Sequence, residues 1–264
     1  MNITDLAADY ERDGYVSGVP VLTQDEVTYH RTALEKAEHE LNASLHYQFK
    51  VHTILTSPYE LATRPQVLDL VEAMIGPDIL LYNATYIIKE PHSTSYVSWH
   101  QDLTYWGLSH SDQVSMWLAL SDADEISGGM RMIPGSHKLG QINHETGSDS
   151  NNVLLQSQTV QNVDESQAVL CALKPGEASF HHGWTLHASM PNHSDDRRIG
   201  LNVQFFAAHI RQTKHDLDTA MLVRGKDDYG HFEADIPASA DLDPAAIIRR
   251  NELEERYKMI AGQG

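Results

Sequence analysis

The feature that most constrains the fold is a series of short segments between residues 79 and 207, each rich in β-branched or aromatic residues. The first of them, Ile79–Ile88, is typical of a β-strand. The further strand candidates are Tyr96–Trp99, Val114–Leu120, Met130–Ile133, Ala168–Leu173, Ala178–His181, Leu186–Ser189 and Ile199–Ala207. Turn-forming residues separate them, as in Ser127-Gly-Gly129 and Pro175-Gly176. Many short strands with such turns predict a mainly β fold, either a β-sandwich or a jelly roll.

Helices are predicted on both sides of this β region. Thr23 is followed three residues later by Glu26, which is the capping-box pattern, and apolar residues then recur at helical spacing. A further helix is expected over Pro65–Ile75, and a last one over about 243–259, with Asp at its cap and Pro in its first turn. We expect one domain over residues 1–264, made of a helical part at about 1–78, a β core at about 79–210, and a C-terminal extension with a helix at about 211–264.

Composition narrows the class of protein. The 264 residues include 19 Lys and Arg against 37 Asp and Glu, which gives a formal charge of 19 − 37 = −18. This acidity argues against a nucleic-acid binder and against docking on an anionic membrane. No apolar stretch approaches the roughly 20 residues that span a bilayer, and the acidic N-terminus lacks the apolar core of a signal peptide. We therefore expect a cytoplasmic protein.

The single cysteine restricts the metal chemistry that is open to the chain. Cys171 lies in an apolar run, where a small core residue is expected. One cysteine cannot build a thiolate cluster, so any metal must bind nitrogen and oxygen ligands. The segment His100-Gln-Asp102 offers both at the end of a strand candidate, where alternate residues share a face. Imidazole nitrogen and carboxylate oxygen together suit Fe(II).

A third metal ligand must come from a distant strand, and the candidate is His187. On its own, the His-x-Asp pair is weak evidence, and a hydrogen-bonded surface pair is the better explanation in a chain with 16 histidines. The residues that follow favour a metal site, because Arg198 comes eleven residues after His187 at the start of a strand candidate. A buried arginine near a metal presents a planar fork that fits a carboxylate.

At this point the chain resembles the phytanoyl-CoA dioxygenase-type family of Fe(II)- and 2-oxoglutarate-dependent oxygenases. The resemblance covers about residues 6–232. The segments that carry it are His100-Gln-Asp102, Gly129-Met-Arg-Met-Ile-Pro-Gly-Ser-His137, Leu173-Lys-Pro-Gly-Glu177, and His182-Gly-Trp-Thr-Leu-His187 followed by Arg197-Arg198. The resemblance implies a double-stranded β-helix of the jelly-roll, cupin-like type, with flanking helices and the iron between its two sheets.

The resemblance also implies the roles of four residues. His100, Asp102 and His187 would hold the catalytic iron, and Arg198 would hold the distal carboxylate of 2-oxoglutarate. With O2 as a further cosubstrate, the enzyme would couple oxidative decarboxylation of 2-oxoglutarate to hydroxylation, or a related C–H oxidation, of a small-molecule metabolite. The protein would be a monomer or a homodimer. Some related enzymes are halogenases, which replace the carboxylate ligand with a small residue, so Asp102 disfavours chlorination.

Position in the sequence suggests three further cofactor-binding residues. Ser189 shares a strand face with His187 and is expected to help Arg198 bind the carboxylate. Lys89 lies on the strand before the metal strand, and Trp117 on the strand after it. For Trp117, packing in the core explains the position equally well. The other residues that position places near the cavity are Asn83, Tyr86, Thr104, Tyr105, Trp106 and Met116.

Two other functions fit the same residues. A cupin-like metal- or ligand-binding protein without turnover would use the triad, but it has no need of Arg198 as well. A zinc hydrolase would use the same nitrogen and oxygen ligands, but it leaves Arg198 unexplained and lacks an evident base.

Two segments are expected to set substrate specificity. The polar, amide-rich residues 143–166 are expected to form a long loop, either a lid over the site or a solvated excursion. The second segment is Arg211–Phe232, in which Arg211 and Arg224 are candidate anchors for an anionic substrate group, as is Lys89.

Overall fold

Two β-sheets and a set of flanking helices make up the computed structural model, which describes residues 2–154 and 157–261. The helices are α1 (Ile3–Asp13), α2 (Gln24–Leu41), α3 (Thr56–Ala62), α4 (Pro65–Ile75), α5 (Leu103–Trp106) and α6 (Pro244–Ala261). The strands are β1 (Tyr15–Pro20), β2 (Ile79–Lys89), β3 (Val97–His100), β4 (Gln113–Ala119), β5 (Met130–Met132), β6 (Val169–Cys171), β7 (Glu177–His182), β8 (His187–Ser189), β9 (Arg198–Ala207), β10 (Thr219–Arg224) and β11 (Glu233–Ala234).

The larger sheet has the strand order β1-β7-β4-β9-β2-β10-β11, and the smaller sheet has the order β3-β8-β5-β6. Neighbouring strands are antiparallel except for β10 and β11, and both sheets are open. The prediction of a mainly β, cupin-like fold with flanking helices is confirmed. The strand predicted from Tyr96 to Trp99 runs instead from Val97 to His100, so the first candidate ligand lies within the strand.

Strand β2 is buried along its whole length because both faces of the larger sheet are covered. Ala84, Tyr86 and Ile88 belong to the core that the N-terminal helices share with this sheet. Asn83 and Thr85 lie on the opposite face and line a cavity between the two sheets. The expectation that Tyr86 faces the cavity is therefore wrong, because strand residues alternate between faces.

Strand β4 shows the same division between its two faces. Met116 belongs to the helix-side core, whereas Trp117 lines the cavity. Position had suggested both residues for the cavity, and the alternation of the strand excludes Met116.

The predicted helix boundaries agree closely with the structure. Thr23 and Glu26 form the expected capping box at α2, with each side chain bonded to the other residue's backbone N–H. Helix α4 covers the predicted residues Pro65–Ile75, and Asp243 accepts from two backbone N–H groups in the first turn of α6. None of the helices within the described residues has the length and apolar composition that crossing a bilayer requires.

Strands β1, β10 and β11 extend the larger sheet at its two edges with residues from outside the predicted β core. Strand β1 pairs with β7, and its register shifts between Val16 and Val19, where Gly18 has a positive φ of 72°. The sequence gives little sign of this strand, because glycine and proline interrupt it.

The segment predicted as a long loop has little regular structure among its described residues, 143–154 and 157–166; Leu155 and Gln156 lie outside the described residues. An isolated bridge joins Glu145 and Thr159, and Tyr96 pairs with Asn152. The residues of this loop that line the cavity are Val153 and Leu154.

Candidate active site

The pairing of β3 with β8 brings two distant histidines together. His100 and His187 are direct cross-strand partners, and their ring centroids lie 4.0 Å apart. Asp102 follows β3, and its Oδ1 lies 3.5 Å from His100 Nε2 and 3.6 Å from His187 Nε2. The three potential ligand atoms lie within 4.8 Å of one another, and all three residues are buried. This geometry suits a single metal ion with nitrogen and oxygen ligands.

Backbone carbonyls fix the orientation of both imidazoles. His100 Nδ1 donates to the carbonyl of Ser98 and His187 Nδ1 to that of Thr185, each at 2.9 Å. With the proton at Nδ1, the lone pair of each ring lies on Nε2, which faces Asp102. Burial holds the pKa of His187 well below its ordinary value, which keeps this ring neutral and able to bind a metal.

The second oxygen of Asp102 is occupied by protein groups. Ser115 Oγ donates to Oδ2 at 3.0 Å, and His181 Nε2 lies 3.4 Å from the same atom. Gln113 donates to Ser115 Oγ at 2.9 Å and holds the serine in place. Burial alone would raise the pKa of Asp102, but the adjacent imidazoles of His100, His181 and His187 hold it well below the usual range. Asp102 is therefore a carboxylate with Oδ1 left for a metal.

Sequence reasoning missed Ser115 as a partner of the candidate ligands. The same holds for His181, whose ring lies against Asp102. The signal was weak because these residues lie on β4 and β7, outside the His100-Gln-Asp102 segment, and only the folded sheet brings them to Asp102.

Arg198 lies buried at the start of β9 with most of its hydrogen-bonding capacity free. Only 2% of the residue is exposed, and Nη1 donates to the carbonyl of Gly128 at 3.2 Å. Its Nε and Nη2 have no hydrogen-bond partner within the described part of the chain. Burial lowers the pKa of Arg198 to about 10, so the guanidinium remains charged at neutral pH. A buried fork with two free donors suits a carboxylate ligand.

Trp117 forms the surface on which Arg198 rests. The guanidinium carbon lies 5.1 Å from the centroid of the indole ring, within the range of a cation–π interaction. The indole lies against the backbone of β9 at Gly200, where an added Cβ would come within 1.9 Å of Trp117 Cζ2. Gly200 therefore makes room for the ring that supports Arg198.

Ser189 and Lys89 have different positions relative to the cavity. Ser189 is buried and lines the cavity together with Arg198. Lys89 Nζ lies behind it, 2.8 Å from Ser189 Oγ and 3.2 Å from its carbonyl, and it also donates to the carbonyl of Met190. Since these groups take up its hydrogen bonds, Lys89 holds Ser189 in place, and the expectation that it contacts the cosubstrate is revised.

The cavity between the two sheets has a volume of about 430 Å³. The triad and Arg198 lie in its walls, and Asn83, Thr85, Asn202 and Gln204 extend the wall along β2 and β9. Helix α6 also contributes Glu254, Tyr257 and Lys258. Nothing in the sequence indicates a cavity wall at α6, because its apolar residues do not gather on one face.

The remaining candidate cations lie in ion pairs or away from the cavity. Arg197, the neighbour of Arg198, pairs with Glu38 at 2.9 Å. Arg224 bonds to Asp69 and Glu72 on α4, so its proposed role as a substrate anchor is wrong. The structure does not place Arg211 in the cavity wall either.

Cys171 is a buried core residue, as predicted. It packs in a small apolar cluster with Met130 and Leu173. Burial raises the pKa of its thiol to about 12, so the thiol is not a nucleophile at neutral pH.

A comparison with family models decides the classification. The model of the phytanoyl-CoA dioxygenase family, PhyH, matches residues 10–200 and thus contains both halves of the candidate metal site and Arg198. The chain belongs to the phytanoyl-CoA dioxygenase family. The sequence resemblance is thereby confirmed.

Individual members of the phytanoyl-CoA dioxygenase family and related structures are moderately similar. The chain is 30% identical over 190 residues to a probable alpha-ketoglutarate-dependent hypophosphite dioxygenase of Stutzerimonas stutzeri, a match covering 71% of this chain and 65% of that protein. It is 29% identical over 156 residues to the peroxisomal phytanoyl-CoA dioxygenase of Bos taurus, covering 57% and 46%. The chain thus spans about half to two thirds of these curated relatives. The apo structure of the non-heme monooxygenase ThoJ matches with 28% identity and a TM-score of 0.86 over 98% of both chains.

Proposed function

We propose that this protein is an Fe(II)- and 2-oxoglutarate-dependent oxygenase that hydroxylates a small molecule. The reaction consumes the substrate R–H, 2-oxoglutarate and O2, and it yields R–OH, succinate and CO2. One oxygen atom enters the new hydroxyl group and the other enters succinate. The observation that carries the proposal is the combination of the buried His-Asp-His triad with a buried, unpaired Arg198 in the same cavity.

The donor set fits Fe(II). Two imidazole nitrogens and one carboxylate oxygen match the ligand pattern of non-haem iron oxygenases, which leaves coordination positions open for cosubstrates. His100, Asp102 and His187 would hold the ion. Fe(II) bound there would supply the activation of O2. The role of the protein is to keep Asp102 ionised, to keep the histidine lone pairs directed at the ion, and to shield the site from water.

Arg198 and Ser189 would bind the carboxylate of 2-oxoglutarate that lies farther from the iron. The free Nε and Nη2 of Arg198 are two donors for one carboxylate. Ser189 Oγ accepts from Lys89, so its own proton is available for the same ligand. Trp117 supports the guanidinium from the other side. These residues would orient the cosubstrate toward the triad.

Arg198 also favours the oxygenase over the other candidate functions. A zinc hydrolase or an inactive binding protein leaves a buried guanidinium with two unsatisfied nitrogens, which costs about 1–3 kcal/mol for each buried group. Chlorination is disfavoured because the carboxylate of Asp102 fills the position that a halide needs.

The decisive experiment measures the formation of succinate from 2-oxoglutarate by the purified protein. We expect turnover that requires Fe(II), proceeds slowly without a primary substrate, and is lost in His100→Ala. The exposed His92, which pairs with Asp195, provides the matched control His92→Ala and should leave turnover unchanged. Absence of succinate in the iron-loaded protein, with all candidate substrates and without them, would refute the proposal.

We further propose that the enzyme acts in the cytoplasm as a monomer or homodimer, without nucleic-acid or membrane partners. The formal charge of −18 supports the absence of a polyanionic partner. Light scattering coupled to size-exclusion chromatography tests the oligomeric state, and a mass larger than that of a dimer would contradict it.

A further inference from the structure

A further part of the cavity wall is formed by aromatic side chains. We call this set the aromatic wall; its members are Tyr47, Phe49, Tyr105, Trp106 and Tyr257. They come from three separate segments: the chain after α2, helix α5 next to the triad, and helix α6. Convergence of aromatic residues from three remote segments on one cavity creates a surface suited to a flat apolar ring.

The aromatic wall is fixed in place by contacts between its segments. Phe49 and Tyr257 are stacked, with ring centroids 4.1 Å apart and an angle of 17° between the planes. Arg250 on α6 donates to Gln48 Oε1 at 2.8 Å and joins the same two segments. The wall is therefore preformed, which reduces the entropic cost of binding a ring.

Charged groups at this end of the cavity are already paired. Glu254 and Lys258 line the cavity, and they lie 3.2 Å from each other. Glu254 also pairs with Arg250 at 2.5 Å. Among the described lining residues, the other acidic, basic or imidazole groups are the triad, His181 on Asp102, and Arg198. An anionic substrate group would therefore find no free cation at the aromatic wall, and an ammonium group would find aromatic faces but no free carboxylate.

Besides Arg198 and His181 Nδ1, two further polar groups in the cavity walls have no partner among the described residues. Asn83 bonds to Thr85 at 2.9 Å and to Gln204 at 3.2 Å, so the amides of β2 and β9 largely satisfy one another. By contrast, the hydroxyl of Tyr105 and the Oδ1 of Asn202 are buried and have no hydrogen bond. Tyr105 is 9% exposed, and burial raises the pKa of its hydroxyl above the ordinary value, so the group stays a donor.

We propose that the primary substrate is an uncharged molecule with a planar ring, which accepts a hydrogen bond from Tyr105 and donates one to Asn202 Oδ1. The inference rests on the proposed function, because that function assigns the triad and Arg198 to iron and 2-oxoglutarate and leaves the aromatic wall for the substrate. Carboxylates, phosphonates and ammonium compounds are disfavoured as the group bound at the aromatic wall, because its charged neighbours are already paired.

The test compares small probes that differ from one another either in charge or in the presence of the ring. Phenylacetamide is neutral, phenylacetate is its anionic analogue, phenethylamine is the cationic analogue, and hexanamide keeps the amide without the ring. Binding is measured by titration calorimetry in the presence of Mn(II) and saturating 2-oxoglutarate without turnover, so that Arg198 is not free to bind the carboxylate of phenylacetate. We expect phenylacetamide to bind about tenfold more tightly than either charged analogue and than hexanamide.

Two variants test whether Tyr105 and Tyr257 cause the preference for phenylacetamide. Tyr105→Phe should weaken phenylacetamide about fivefold, the range of a single neutral hydrogen bond, without changing the binding of Mn(II). Tyr257→Leu should remove most of the preference for phenylacetamide over hexanamide. Tyr229 is 54% exposed and is not part of the cavity wall, so Tyr229→Phe is the matched control and should have no effect.

The outcomes separate this inference from the proposed function. Equal or tighter binding of phenylacetate or phenethylamine overturns the inference, as does failure of phenylacetamide to bind protein that takes up Mn(II) and 2-oxoglutarate. If the probes follow the expected order but 2-oxoglutarate does not bind, the chemistry of the aromatic wall is supported and the proposed oxygenase function is refuted.

Discussion

At the scale of single residues, the two oxygens of Asp102 have different surroundings. Oδ2 lies against Ser115 and His181, whereas Oδ1 lies between the Nε2 atoms of His100 and His187. The neighbouring groups thereby hold the carboxylate in the one rotation that presents Oδ1 to a metal. Residues around a metal ligand commonly change metal affinity nearly as much as the ligand itself.

We predict that Ser115→Ala weakens Fe(II) binding about tenfold, because the carboxylate loses the donor that fixes its rotation. Affinity is measured by anaerobic titration, with circular dichroism to verify folding. Ser179 on the adjacent strand β7 is also fully buried but has no hydrogen-bond partner at Oγ. Ser179→Ala is therefore the matched control, and an equal loss of affinity in both variants would contradict the role of Ser115.

A second prediction concerns Gly200, which leaves room for Trp117. In Gly200→Ala the new methyl group overlaps the indole, so the ring must leave its position under Arg198. We expect a loss of about 1–3 kcal/mol in the free energy of unfolding and weaker binding of 2-oxoglutarate.

The double variant Trp117→Phe/Gly200→Ala is the control for this steric explanation. A smaller ring relieves the overlap, so the two substitutions together should destabilise less than the sum of their separate effects, as a double-mutant cycle measures. Additive effects on the free energy of unfolding would contradict the overlap between the methyl group and the indole.

Single residues also show how far the sequence could predict the site. The spacing of His100 and Asp102 and the position of Arg198 are visible in the chain, and the structure brings all three to one cavity with His187. For Lys89, the place on the strand indicates the face, but not that its Nζ bonds to Ser189. That information depends on the packing of one sheet against the other.

At the scale of elements, periodicity predicted helices better than strands. Helix α4 matched its prediction at both ends because Pro65 and Gly76 mark its limits. Strand β2 is buried on both faces, so its sequence lacks the polar–apolar alternation that would show which residues face the cavity. The aromatic wall could be predicted only in part, because Tyr257 reaches the cavity through the packing of α6 against the rest of the fold.

Strand β2 also makes a pH-sensitive hydrogen bond to His46, which lies in the segment between α2 and α3. The N–H of Ile88 donates to Nδ1 of His46 at 2.9 Å, which requires that nitrogen to be unprotonated. Burial, with the positive charge of Arg198, lowers the pKa of His46 from 6.5 to about 4. The unfolded chain therefore binds more protons than the folded chain between these two pH values.

We predict that the free energy of unfolding falls as the pH decreases from 6.5 to 4, with His46 contributing on the order of 2 kcal/mol. In His46→Asn the side-chain oxygen keeps an acceptor near Ile88 but does not titrate, so this part of the pH dependence should disappear. Denaturant unfolding at several pH values provides the measurement. The exposed variant His92→Asn should keep the full dependence, and an unchanged slope in His46→Asn would contradict the assignment.

At the scale of the whole molecule, the site joins parts of the fold that are otherwise separate. The triad depends on the smaller sheet, Arg198 on the larger sheet, and the aromatic wall on helices α5 and α6. Ligands that bind between the sheets should therefore stabilise the whole fold, because they bind the folded state and not the unfolded chain.

We predict two successive increases in Tm, one with Mn(II) and a further one with 2-oxoglutarate. Each ligand should add about 2.7 kcal/mol when its concentration is about 100 times Kd. In Arg198→Gln the increase with Mn(II) should remain and that with 2-oxoglutarate should be lost. In His187→Ala both should be lost. Retention of the full 2-oxoglutarate effect in Arg198→Gln would contradict its role in binding the carboxylate.

The two edge strands of the larger sheet affect the tendency of the protein to aggregate. One edge is β1, which contains Pro20 and is distorted at Gly18, and the other is β11, a two-residue strand that includes the exposed Glu233. Neither edge offers a continuous row of free N–H and C=O groups to which a strand of another molecule could add. With a charge of −18 on every copy, this arrangement opposes edge-to-edge polymerisation even at high concentration.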